Sequence, residues 1–86
     1  MRNTSRVLDP EWERMGATLR EYRRINDVGV QELANQLGIS YSYLANIEAG
    51  RKRLTPGLAT KAASYLKIPR IVLVRADYVE PEPVAS

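Results

Sequence analysis

The sequence predicts an all-α fold, and three observations carry that prediction. Apolar residues recur at spacings of three and four, the helical period, along most of the chain. Asp9-Pro10 and Thr55-Pro56 each have the form of a helix start, a capping side chain followed by proline at the first helical position. Gly38 and Gly50 stand just past the end of periodic stretches, where a helix commonly stops on a residue of positive φ. A chain of 86 residues has room for one domain with a small core.

Residues 1–8 read as a flexible arm carrying Arg2 and Arg6. The first helix follows from Asp9-Pro10, with Glu11 and Glu13 in its first turn, where the helix dipole favours acids. Trp12, Met15, Leu19 and Tyr22 then set a helix over about residues 10–25, with Trp12 expected in the core. Gly16 and Thr18 weaken it, and Arg20, Arg23 and Arg24 place cations near its end. Arg23 and Arg24 are expected in solvent or paired with Asp27.

The segment "INDVG" breaks the pattern. A short second helix spans about residues 30–37, with Gly29 as N-cap, Glu32 in its first turn and Gly38 at its end. Ser40 caps a third helix that runs to about Ala49 and is closed by Gly50. Arg51, Lys52 and Arg53 make a basic loop. Thr55-Pro56 opens a fourth helix, whose Leu58, Ala59, Ala62, Ala63, Tyr65 and Leu66 form a broad apolar face.

Ile71-Val72-Leu73-Val74 is β-branched and reads locally as a strand. Between Pro69 and Asp77 in a helical domain it reads equally as a short fifth helix, the preferred assignment. Four apolar residues in a row exceed what one helix face buries in so small a body, so Ile71–Val74 is expected to meet a second subunit. The folded domain is thus assigned to residues 9–77. Residues 78–86 form an acidic, Pro-rich tail too poor in apolar side chains to order itself.

Composition narrows the function. With no Cys and no His, the commonest nucleophile, general base and metal ligand are all missing, so an enzyme, a cofactor and a metal site are not expected. No apolar run approaches membrane-spanning length, and "MRNTSRVLDP" has no apolar signal core, which leaves a cytoplasmic address as the default expectation. Residues 1–67 hold eleven Lys/Arg against seven Asp/Glu, a charge of +4, while residues 68–86 hold two against three, a charge of −1. The body is therefore the cationic part, as a surface facing a polyanion requires.

The stretch Leu33–Gly50, "LANQLGISYSYLANIEAG", makes the expectation sharper. Ala34 is small enough for two helices to cross closely, and Gly38 permits a tight turn between them. Ile39, Leu44 and Ile47 share one side, which leaves Tyr41, Ser42, Ala45 and Asn46 facing outward with no acid among them. A merely solvated helix would carry Glu and Lys there. A helix entering the DNA major groove needs hydrogen-bonding groups that reach base edges and no carboxylate against phosphates. Asn bonds adenine in a bidentate manner, and Ser suits several bases.

"QELANQLGISYSYLANIEAGRKR" resembles the helix-turn-helix of the Cro/repressor, or XRE, family of bacterial and phage regulators. The resemblance covers about residues 10–77 and includes the Leu-Ala, Gly-Ile-Ser and Ile-Glu-Ala-Gly-Arg elements at the family's spacing. It implies a lambda-repressor-like bundle of five short helices whose third is the recognition helix. Base reading then falls to Tyr41, Ser42, Ala45 and Asn46, and backbone contacts to Tyr43, Arg51, Lys52 and Arg53, with Arg2 and Arg6 as arm contacts. Glu48 matches a structural glutamate, expected to bond backbone amides or an arginine of the first helix such as Arg14 or Arg20.

Two positions depart from the family pattern. Gly29 and Val30 replace the usual Thr-Gln at the start of the second helix, removing a side-chain phosphate clamp, and the "RKRLTP" loop is longer than the common form. The implied function is a double-stranded-DNA-binding transcriptional regulator acting as a repressor and a homodimer. The alternatives are an antitoxin that binds a toxin partner and represses its own operon, and a protein-interaction module on the same fold.

Overall fold

The computed structural model describes residues 9–73, so the expected arm, the expected tail, Val74 and the end of the expected domain lie outside the described residues. Five helices follow one another within them: α1 Pro10–Ile25, α2 Val30–Leu37, α3 Tyr41–Glu48, α4 Pro56–Leu66 and α5 Arg70–Leu73. No strand occurs among the described residues, and none of their helices is long and apolar enough to cross a membrane.

Each start is written locally. The Asp9 carboxylate accepts from the backbone amides of Glu11 at 2.8 Å and Trp12 at 3.3 Å, satisfying two orphan donors of the first turn of α1, in which Pro10 has none to leave unpaired. Ser40 Oγ accepts from Tyr43 N at 3.0 Å, and Thr55 Oγ1 accepts from Leu58 N at 3.3 Å. Gly29 caps α2 without a side-chain bond.

The four longer helices end alike. Asp27, Gly38, Gly50 and Lys67 adopt left-handed φ values of 62°, 74°, 86° and 58°. The amide of the following residue then bonds the carbonyl five positions earlier: Val28 to Arg23 at 3.0 Å, Ile39 to Ala34 at 3.0 Å, Arg51 to Asn46 at 2.9 Å and Ile68 to Ala63 at 3.0 Å. This is the Schellman closure, which satisfies carbonyls the helix would leave unpaired.

The core draws on every helix. Met15 and Leu19 of α1, Leu33 and Leu37 of α2, Leu44 and Ile47 of α3, Leu66 of α4 and Leu73 of α5 are all buried. Ala34 and the three alanines of α4, Ala59, Ala62 and Ala63, are buried too, and small side chains there let α2 and α4 pack closely. Leu54, in the loop before α4, is buried although no periodicity marks it.

Two expectations are corrected. Gly16 is a contact rather than a weakness: a Cβ there would stand 2.1 Å from the Ile47 carbonyl oxygen and 3.0 Å from that of Glu48. Only glycine lets α1 cross the end of α3 at this distance. Trp12 is half-buried rather than core, because it precedes the point at which α1 reaches its neighbours. It lines a shallow groove of about 180 Å³ with Asp9, Glu11, Met15 and Arg53. Residues 71–73 are helical, as the preferred assignment has it, with Leu73 fully buried, Val72 half-buried and Ile71 at 54% exposure.

Candidate nucleic-acid interface

Helix α3 is anchored by one face and displayed by the other. Leu44 and Ile47 are at 0% exposure, each such burial contributing about 1.5–3 kcal/mol. Tyr41 and Tyr43 are exposed at 53% and 39%, and Ser42 between them is exposed. One turn on, Ala45 and Asn46 are half-buried. Ala45 lies on a cleft shared by α1, α2 and α3, with Arg20, Arg23, Val30 and Glu48 around it.

The basic loop divides. Arg51 and Lys52 are exposed beside the end of α3. Arg51 is tied to Asn46 twice, by its backbone amide to the Asn46 carbonyl at 2.9 Å and by Nε to Asn46 Oδ1 at 2.8 Å. Lys52 N also donates to the Asn46 carbonyl, at 3.2 Å. Arg53 instead is half-buried and lines the groove at the start of α1. Tyr41, Ser42, Asn46, Arg51 and Lys52 therefore cluster around α3, while Arg53 stands apart. Arg2 and Arg6 lie outside the described residues.

Glu48, the one acid of α3, is turned inward. Arg23 Nε donates to its Oε2 at 2.7 Å and Arg23 Nη2 to its Oε1 at 3.1 Å, a bidentate pair whose side chains are 11% and 7% exposed. Arg23 Nη1 also donates to the Val28 carbonyl at 2.8 Å. This corrects two expectations. The partner of Glu48 is neither Arg14 nor Arg20, since Arg14 pairs with Glu11 at 2.6 Å on the same helix. Nor is Arg23 in solvent or paired with Asp27. Gly16, Leu19 and Arg23 share the buried stripe of α1 that crosses α3, so Arg23 is the arginine delivered to Glu48. Extending the stripe by one more turn would have found it in the sequence.

The start of α2 agrees with the departure read from the sequence. Gly29 and Val30 offer no side-chain donor, and Gln31 is engaged with Asn35, its Nε2 donating to Oδ1 at 3.0 Å. No cluster of three metal-ligating side chains exists among the described residues.

A family model described as a helix-turn-helix domain matches residues 14–75. The chain belongs to the helix-turn-helix family. A comparison with curated proteins gives no match. Among solved structures, the clp gene regulator ClgR from C. glutamicum is 29% identical, with a TM-score of 0.71 over 76% of this chain and 84% of that one. The restriction-modification controller protein C.AhdI from Aeromonas hydrophila is 26% identical, with a TM-score of 0.70 over 76% of this chain and 98% of its own. SinR, the master regulator for biofilm formation, solved in complex with DNA, is 25% identical, with a TM-score of 0.63 over 69% of this chain and 95% of its own. This helix-turn-helix protein thus has the fold of XRE-type DNA-binding transcription regulators, as the resemblance of Leu33–Arg53 implied.

Proposed function

We propose that the protein binds double-stranded DNA in a sequence-specific manner, with α3 in the major groove, and represses transcription by occupying promoter sequence. One observation carries the reading: α3 exposes Tyr41 and Ser42 on a face whose only acid, Glu48, is withdrawn into a buried pair with Arg23, while Arg51 and Lys52 border that face. A groove-entering surface needs this combination of polar reach and no exposed carboxylate. Tyr41, Ser42, Ala45 and Asn46 face the bases in this reading, and Tyr43 and Lys52 the sugar-phosphate backbone, with Arg51 between the two groups and Arg53 too far from α3 to join them. The DNA-bound SinR and the clp gene regulator ClgR support it by analogy of fold.

The exposed Ile71 at the end of the chain's described part supports a symmetric dimer through the α5 segment. Two recognition helices would then stand about 34 Å apart and select a near-palindromic site. Selection of bound duplexes from a random pool, followed by titrations at several salt concentrations, tests the proposal. Asn46→Ala should flatten preference at one base position by about 1–3 kcal/mol, whereas Lys52→Ala should weaken all duplexes alike and lower the salt slope by about one. A wild-type chain that binds every duplex equally would overturn sequence-specific recognition.

A further inference from the structure

The Arg51–Asn46 contact changes what the two side chains can read. An arginine only donates, so the atom of Asn46 that meets Arg51 Nε at 2.8 Å is the carbonyl oxygen, and the amide's Nδ2 must lie on the other side of the group. The Gly50 turn holds this arrangement from beneath: Gly50 at φ 86° brings the Arg51 amide to the Asn46 carbonyl at 2.9 Å. The guanidinium is thus set against the Asn46 side chain by the backbone as well as by its own bond.

Resting on the DNA-binding reading above, we propose that Asn46 and Arg51 form one hydrogen-bonded unit that selects guanine, making Arg51 a specificity-determining residue rather than a phosphate contact. The pair presents donors: the Asn46 Nδ2 hydrogens and the free Nη hydrogens of Arg51. Guanine offers two acceptors, O6 and N7, on its major-groove edge, whereas adenine offers N7 beside a donating amino group. The bidentate adenine contact of a lone asparagine needs its Oδ1 to accept from that amino group. Here one Oδ1 lone pair is taken by Arg51, and an adenine amino group approaching the other would face the guanidinium's own donors beside it. The sequence on its own allows Asn46 to favour adenine; the Arg51 contact turns that preference to guanine.

The test uses the full chain and its selected duplex. Wild type should require guanine at one position of each half-site. Replacing that guanine by 7-deazaguanine, which lacks N7, should cost roughly tenfold in Kd, while hypoxanthine, which keeps O6 and N7, should bind within about twofold. Arg51→Met keeps the aliphatic stem but removes every donor, so it should lose the guanine preference at that position alone. A selected adenine there, or Arg51→Met with unaltered base preference, overturns the pairing while leaving DNA binding in place. Absence of binding to any duplex at low salt overturns the DNA-binding reading itself, and the pairing with it.

Discussion

Arg23 near the end of α1 and Glu48 at the end of α3 are joined through two bonds, 2.7 and 3.1 Å, with the arginine also holding the Val28 carbonyl of the α1–α2 turn. One guanidinium therefore fixes three elements around the helix that the candidate interface displays. Removing one partner leaves the other charge buried. Glu48→Leu or Arg23→Met alone should each cost about 3–5 kcal/mol, a large share of the roughly 3–10 kcal/mol expected for a fold of this size. The double variant Arg23→Met/Glu48→Leu should return to within about 2 kcal/mol of wild type, since packed apolar groups replace a buried pair well. Urea unfolding of the four proteins closes the cycle, and additive losses would contradict it.

Gly16→Ala should be the most damaging single-methyl change in α1. In an exposed helix this substitution adds stability by propensity, but here the methyl would collide with the Ile47 carbonyl oxygen at 2.1 Å. Overpacking against backbone costs about 3 kcal/mol, which lowers Tm by about 12 °C or more in a domain this small. A melting curve at or above that of wild type would show that α1 and α3 do not cross here as described.

The helix ends predict opposite signs for opposite substitutions. Lys67 holds φ 58° with a side chain that disfavours it, so Lys67→Gly should raise stability by about 0.5 kcal/mol after the entropy cost of glycine. Gly38 holds φ 74° with open space around it, so Gly38→Ala should lower stability by about 1 kcal/mol from backbone strain alone. Chemical denaturation measures both.

Tyr65 of α4 donates to Glu32 of α2, and that bond, with burial and the carboxylate's charge adding to it, raises the phenol above its ordinary pKa of 10.0. The folded state therefore holds this proton more tightly than the unfolded state. The resulting stability is fully present below about pH 10 and is lost as pH rises through the raised folded value. Stability measured across the alkaline range should fall less steeply in Tyr65→Phe than in wild type.

The parts of the fold legible in sequence were those with local causes. The starts at Pro10 and Pro56 follow from Asp9 and Thr55, and the stop at Gly38 from its own φ, all within a few residues of the signal. The displayed side of α3 was legible because Leu44 and Ile47 mark its opposite side. What escaped depends on distance along the chain. Arg23 and Glu48 lie 25 residues apart, and the Gly16–Leu19–Arg23 stripe points to the pair only once it is followed past Leu19 and laid across α3. Gly16 looks like a flaw until the α3 backbone is placed against it. Leu54 escaped because period arguments do not reach into a loop, and Trp12 misled because its spacing fits a stripe that becomes buried only from Met15 onward.

The four left-handed corners carry a kinetic consequence. Each is closed by a bond between residues only five apart, so it forms without waiting for distant chain segments to meet. Little loop-closure entropy has to be overcome before the helices are punctuated, and what is left is the docking of short rods over short spans. Such a chain belongs among the rapid folders, reaching its native state in about microseconds to milliseconds, with the long-span Arg23–Glu48 lock closing late.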